Sequence, residues 1–145
     1  MAIRYRSDVA LSVDQFIDIL RRSSLAERRP VDDRDCIAAM VEGADLTVTA
    51  WDGELLVGVA RSVTDFAYCC YLSDLAVSTS HQRMGIGLEL QRQTQASLGP
   101  RCTVILLAAP AAAAYYPRIG MQRHESCWIA PAARRLGQPL NPAGG

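Results

Sequence analysis

Two glycines one residue apart, Gly85 and Gly87, sit in the stretch HQRMGIGLEL (81–90), after strand-like residues ending at Val77 and before residues that favour helix. A strand that runs through such a loop into a helix points several backbone N–H groups at one place, with the positive end of the helix dipole behind them. Glycine has no Cβ, so it lets a ligand approach closely and accepts φ angles that other residues resist. The chemistry this suits is anion binding, above all of phosphate. Neither common phosphate motif fits: a dinucleotide fingerprint needs a third glycine where this chain has Leu90, and a nucleotide-triphosphate loop needs a lysine, which the sequence lacks entirely. A tight corner without a ligand is the alternative reading of the two glycines taken alone.

The elements that would position this loop follow from periodicity and punctuation. Ile3 to Arg6 alternates like a short strand, and Ser12 opens a helix over Val13 to Arg22 with Phe16, Ile17, Ile19 and Leu20 on its apolar face. Asp32 or Asp33 caps a second helix bearing Ile37, Ala38, Met40 and Val41, which ends near Gly43. Leu46 to Trp51 and Glu54 to Ser62 flank Asp52-Gly53, a strong hairpin signal, and Tyr68 to Val77 is a third β-rich run. Gly87 to Leu98 reads as a helix stopped by Gly99-Pro100, and Thr103 to Ala108 as a strand buried in the middle of a sheet. Ala111 to Ile119 reads as a short helix interrupted by Pro117, Gln122 to Ile129 as a last strand, and residues 131–145 as a loose Pro/Gly/Ala-rich tail after a single domain over 1–130. The pattern is mixed α/β.

Composition narrows the function classes. With 145 residues, half of them apolar, the chain can form one compact core. Fifteen arginines balance fifteen acidic residues, so no basic field exists for nucleic acid or an anionic membrane. The absence of lysine excludes a lysine nucleophile or Schiff base. Five cysteines without a CxxC pair read as reduced thiols, and no signal peptide or membrane-spanning run is evident, so a cytoplasmic location is expected. His81 and His124 are isolated, and His124 with Cys127 lacks a second pair at metal-ligand spacing, so no metal is expected.

The segment Asp74-Leu75-Ala76-Val77 leading into Gln82-Arg83-Met84-Gly85-Ile86-Gly87 resembles the acetyl-CoA-binding segment of the GNAT superfamily of N-acetyltransferases. Ala114-Tyr115-Tyr116-Pro117-Arg118-Ile119-Gly120-Met121 is similar to that family's helix-to-strand segment further on. The resemblance implies a mixed, mostly antiparallel central sheet, splayed at the acetyl-CoA strand and flanked by about four helices. It also implies acetyl-CoA as co-substrate, with main-chain groups near Leu75, Ala76 and Val77 pairing with the pantetheine arm. The N–H groups of Gln82, Arg83, Met84, Gly85, Ile86 and Gly87 would then hold the pyrophosphate. The N–H of Leu75 would stabilise the charge developing on the thioester oxygen.

Transfer to an amine needs two proton movements. An alkylammonium with a pKa near ~10 must lose a proton before it attacks, and the departing thiolate must gain one. The resemblance makes Asp74 the first candidate base, beside ordered water, and Tyr116 the candidate acid, with Tyr115 as packing. The same residues leave two functions open, an enzyme or an acyl-CoA-binding sensor without turnover. A small-molecule amine is the expected acceptor and a protein or peptide the alternative; a homodimer is plausible by family habit. Arg21, Arg22, Arg28, Arg29 and Arg34 lie among Glu27, Asp32, Asp33 and Asp35, and read as a solvated, self-paired surface.

Overall fold

The computed structural model of the chain describes residues 2–138 and divides between Ala108 and Ala109 into two compact units. The first holds a five-stranded sheet in the order β1 (Ile3–Arg6), β2 (Leu46–Asp52), β3 (Leu55–Thr64), β4 (Cys69–Val77), β5 (Thr103–Ile105). Successive strands from β1 to β4 are antiparallel, and β5 is parallel to β4. This is a mixed, mostly antiparallel sheet with helices α1 (Val13–Arg22), α2 (Arg34–Glu42) and α3 (Ile86–Ala96) packed on it.

Local chemistry explains where these elements begin. Ser12 and Gln15 form a capping box, the serine hydroxyl accepting from the Gln15 N–H at 3.1 Å and the Gln15 side chain from the Ser12 N–H at 2.9 Å. Asp33 caps α2 by accepting from the Cys36 N–H at 3.0 Å. The β2–β3 turn falls at Gly53 and Glu54, one position later than the Asp-Gly pair suggested, because Asp52 still pairs with Leu55; Gly53 has a φ of 60°. Phe16, Ile19, Leu20 and Ile37 of α1 and α2 pack with Val59 and Ala76 on one face of the sheet. Ile86 and Leu90 of α3 pack with Val48, Ala50, Val57 and Ala60 on the other. Gly58 lets α3 sit close: a Cβ there would lie 3.0 Å from a Leu90 methyl and 3.2 Å from Ile86.

Two departures from regular pairing shape β4. Arg61 pairs with Asp74 and Ser62 with Leu72, so Ser73 is the extra residue of a bulge. The bulge changes which face the strand presents, and Leu72 joins the α3 side while Ala76 joins the α1 side. On its other edge β4 pairs with β5 only through Cys69, Cys70 and Tyr71. Among the described residues no strand lies beside that edge from Leu72 to Val77, which is the expected splay.

Three expectations are corrected. Thr103 to Ala108 is not a strand buried in mid-sheet: β5 stops at Ile105 and is an edge strand, leaving Ile105 51% and Leu107 47% exposed. An apolar run reads alike whether one or both of its edges are covered. In the second unit, a 3-10 turn over Pro110–Ala112 and the short helix α4 (Tyr115–Arg118) stand where one helix was expected. Gln122 to Ile129 forms no strand: residues 125 and 126 make a turn, closed by the Ser126 N–H donating to His124 Nδ1 at 3.1 Å, and Trp128 is exposed. A local partner for the backbone has won over a ladder. Residues 131–138 have no helix or strand, and residues 139–145 of the expected tail lie outside the described residues.

Candidate functional site

The glycine loop joins the end of β4 to the start of α3. After β4 the Ser78 N–H donates to Val57 O at 2.8 Å, Thr79–His81 forms a 3-10 turn, and residues 82–85 lead into α3. Gly85 is the N-cap of α3 at a φ of 80°, and no side chain caps the helix. The first N–H groups of α3 therefore lack the intrahelical partners that later residues have. Arg83 also lies in the left-handed region, at a φ of 63°, although it carries a side chain. The Arg83 guanidinium is exposed and has no partner among the described residues.

The open edge of β4 leads to this loop. Because the Ser78 N–H faces β3, strand alternation turns the main-chain groups of Leu75 and Val77 to the edge without a strand, and those of Ala76 toward β3. The Gln82 side chain already uses one of these groups, donating to Val77 O at 3.1 Å. Gln82 thereby ties the loop to the end of the strand, and Met84 and Ile86 divide between solvent and core, the first 48% exposed and the second buried.

Asp74 lies on the opposite side of the strand, fully buried. One carboxylate oxygen accepts from Arg29 Nε and the other from Arg61 Nε. Arg29 also donates to Ser73 O at 2.7 Å and Arg28 O at 2.8 Å, and Arg61 to Met40 O and Ser73 Oγ, both at 3.1 Å. The arginine-rich connection after α1 is thus only partly self-paired. Arg22 meets Asp18, Arg34 meets Asp14 and Arg21 approaches Asp32, but Arg29 turns inward to the sheet. Neither Arg29 nor Arg61 could be assigned a partner from sequence, because they reach Asp74 across 45 and 13 positions.

Tyr116 belongs to the second unit, on α4. Its ring meets Tyr115 edge to face with centroids 5.3 Å apart. Burial, with a smaller contribution from Tyr115, raises the Tyr116 phenol above its ordinary range, so it holds its proton at neutral pH. His81, isolated in sequence, is buried and hydrogen-bonded at both ring nitrogens. Among the described residues no cluster of three His, Cys, Asp or Glu could hold a metal ion, and no helix is long and apolar enough to cross a membrane.

Residues 23–128 match the family model of the acetyltransferase (GNAT) domain. The chain belongs to the GNAT acetyltransferase family. Solved structures agree on the fold. A probable acetyltransferase from meticillin-resistant Staphylococcus aureus is similar at a TM-score of 0.71 and 18% identity, over 89% of this chain and 99% of that one. A GNAT-family acetyltransferase from Streptococcus pneumoniae is similar at 0.67 and 18%, over 90% of this chain and 99% of that one. An aminoglycoside acetyltransferase from an uncultured soil metagenomic sample, in complex with sisomicin, is similar at 0.64 and 18%, over 92% and 97%. No curated protein matches the chain. For this GNAT protein, then, the loop at residues 82–87 and the open edge of β4 stand within the matched domain.

Proposed function

We propose that this GNAT protein is an acetyl-CoA-dependent N-acetyltransferase that moves the acetyl group to a primary amine of a small molecule by direct attack in a ternary complex. The observation that supports the reading is the loop at residues 82–87, where Arg83 and Gly85 are left-handed and the first N–H groups of α3 have no side-chain cap, at the end of β4. In this reading the pyrophosphate of acetyl-CoA sits on the loop, from Gln82 to Gly87, and the pantetheine arm runs along Leu75, Ala76 and Val77 as a substitute strand. A small-molecule amine is favoured because a fold neighbour is an aminoglycoside acetyltransferase.

The amine nitrogen attacks the thioester carbonyl carbon, the C–S bond breaks, the nitrogen sheds its proton and the CoA sulfur gains one. Holding the two reactants side by side supplies much of the acceleration. The Leu75 N–H stabilises the carbonyl oxygen, Tyr116 protonates the sulfur, and Asp74 is the base. Because both Asp74 oxygens already accept from guanidinium groups, Asp74 takes the proton through water, or as Arg29 gives way; the Arg29 side chain is 22% exposed against 8% for Arg61. The test is incubation with acetyl-CoA and pooled amines, amino acids and short peptides, with products read by mass spectrometry. A small amine gaining one acetyl group supports the reading. Acetylation confined to the peptides would replace the acceptor class, and bound acetyl-CoA with no product from any pool would replace the enzyme by a sensor.

A further inference from the structure

The turn between β4 and the anion loop contains a chain of polar side chains that the proposed reaction does not use. His81 Nε2 lies 2.9 Å from the Asp52 carboxylate, and its Nδ1 lies 2.7 Å from Ser80 Oγ. Ser80 Oγ is in turn 3.0 Å from Ser78 Oγ. Asp52 closes the β2–β3 hairpin, so the imidazole joins two loops that are 29 positions apart in sequence. The His81 side chain is only 11% exposed, and burying a polar ring this far is favourable only when its nitrogens are bonded, as both are.

We propose that His81 is the positioning residue of the phosphate loop, pinning residues 82–87 to the β2–β3 hairpin through Asp52. The inference rests on the reading of that loop as a pyrophosphate site. With a carboxylate accepting at Nε2, that nitrogen carries a proton. In the neutral ring Nδ1 then accepts from the Ser80 hydroxyl, which leaves the Ser80 oxygen to accept from Ser78. The charged groups on the surrounding elements are Asp52 and Glu54 in the hairpin, Arg4 on β1 reaching Gly53 O, Arg83 in the loop and Glu89 on α3. Among the described residues Asp52 alone of these contacts the ring. The bond to Asp52 therefore holds this turn, and with it the start of the loop, against the hairpin.

The experiment measures binding of dephospho-CoA, which keeps the pyrophosphate, to the full-length protein by calorimetry. His81→Phe, which keeps a ring but no nitrogen, should weaken binding about tenfold, and His81→Gln, able to donate to Asp52, should recover most of that loss. Asp52→Asn reports on the same link if His81→Phe fails to fold, and should likewise weaken binding. Wild-type affinity retained in His81→Phe or in Asp52→Asn, or no recovery in His81→Gln, would overturn the proposal alone. A wild-type protein that does not bind the probe would overturn it together with the pyrophosphate reading.

Discussion

Arg61 and Asp74 are cross-strand partners on β3 and β4, and their side chains meet in the buried layer beside the Ser73 bulge. Asp74 has Arg29 as its second partner, so one carboxylate joins two strands to the connection after α1.

Removing a partner from such a group leaves a buried charge underpaired. Arg61→Met should therefore lower the free energy of unfolding by about 3–5 kcal/mol, read from urea denaturation. Arg29→Met should cost less, because its guanidinium is more exposed. Equal losses, or a loss from Arg61→Met below about 1 kcal/mol, would show that the cluster is solvated in solution.

Arg83 holds a left-handed backbone conformation that glycine adopts without strain. Arg83→Gly should stabilise the fold by about 1 kcal/mol, a rise of a few degrees in Tm, while weakening CoA binding through loss of the guanidinium. A less stable variant, or one that binds CoA as well as the wild type, would separate the strain from any role in the loop.

Asp65 closes the β3–β4 turn by accepting from the N–H groups of Ala67, Tyr68 and Cys69 at 2.9, 2.8 and 3.1 Å. These bonds, the one from Tyr68 foremost, hold its carboxyl down to about 2. A depressed folded-state pKa contributes stability above the unfolded value near ~4, and that stability is lost as pH falls toward 2. Asp65→Asn should thus be less stable at pH 7 and show a shallower loss in acid, measured by thermal melts between pH 7 and 2. Parallel wild-type and variant curves would contradict this.

Tyr116 is held above its ordinary pKa by burial. Transfer limited by this acid should persist as pH rises and decline only above ~10. Tyr116→Phe should lower kcat by about 10²–10⁴ with acetyl-CoA affinity retained. A variant with normal kcat would leave the phenol a packing group.

What was legible in the sequence was local. Ser12 with Gln15, Asp33 before its helix, Asp52-Gly53 between β runs and the paired glycines each report on residues within a few positions. The splay of β4 came through resemblance to a family, not through periodicity. Interactions decided by distant residues could not be read: the convergence of Arg29 and Arg61 on Asp74, the Asp52–His81 pair, and whether Thr103 to Ala108 would be covered on one edge or two. Arg83 is the opposite case, since its residue type argues against the conformation that it adopts.

The edge of β4 from Leu72 to Val77, beside which no strand lies among the described residues, has a further consequence. Main-chain donors and acceptors left in a row attract any extended chain, including another copy of the same protein. A cofactor bound along that edge, as proposed, would thus also act as the protein's solubiliser. Shelf life and resistance to clumping should then follow CoA supply as closely as turnover does.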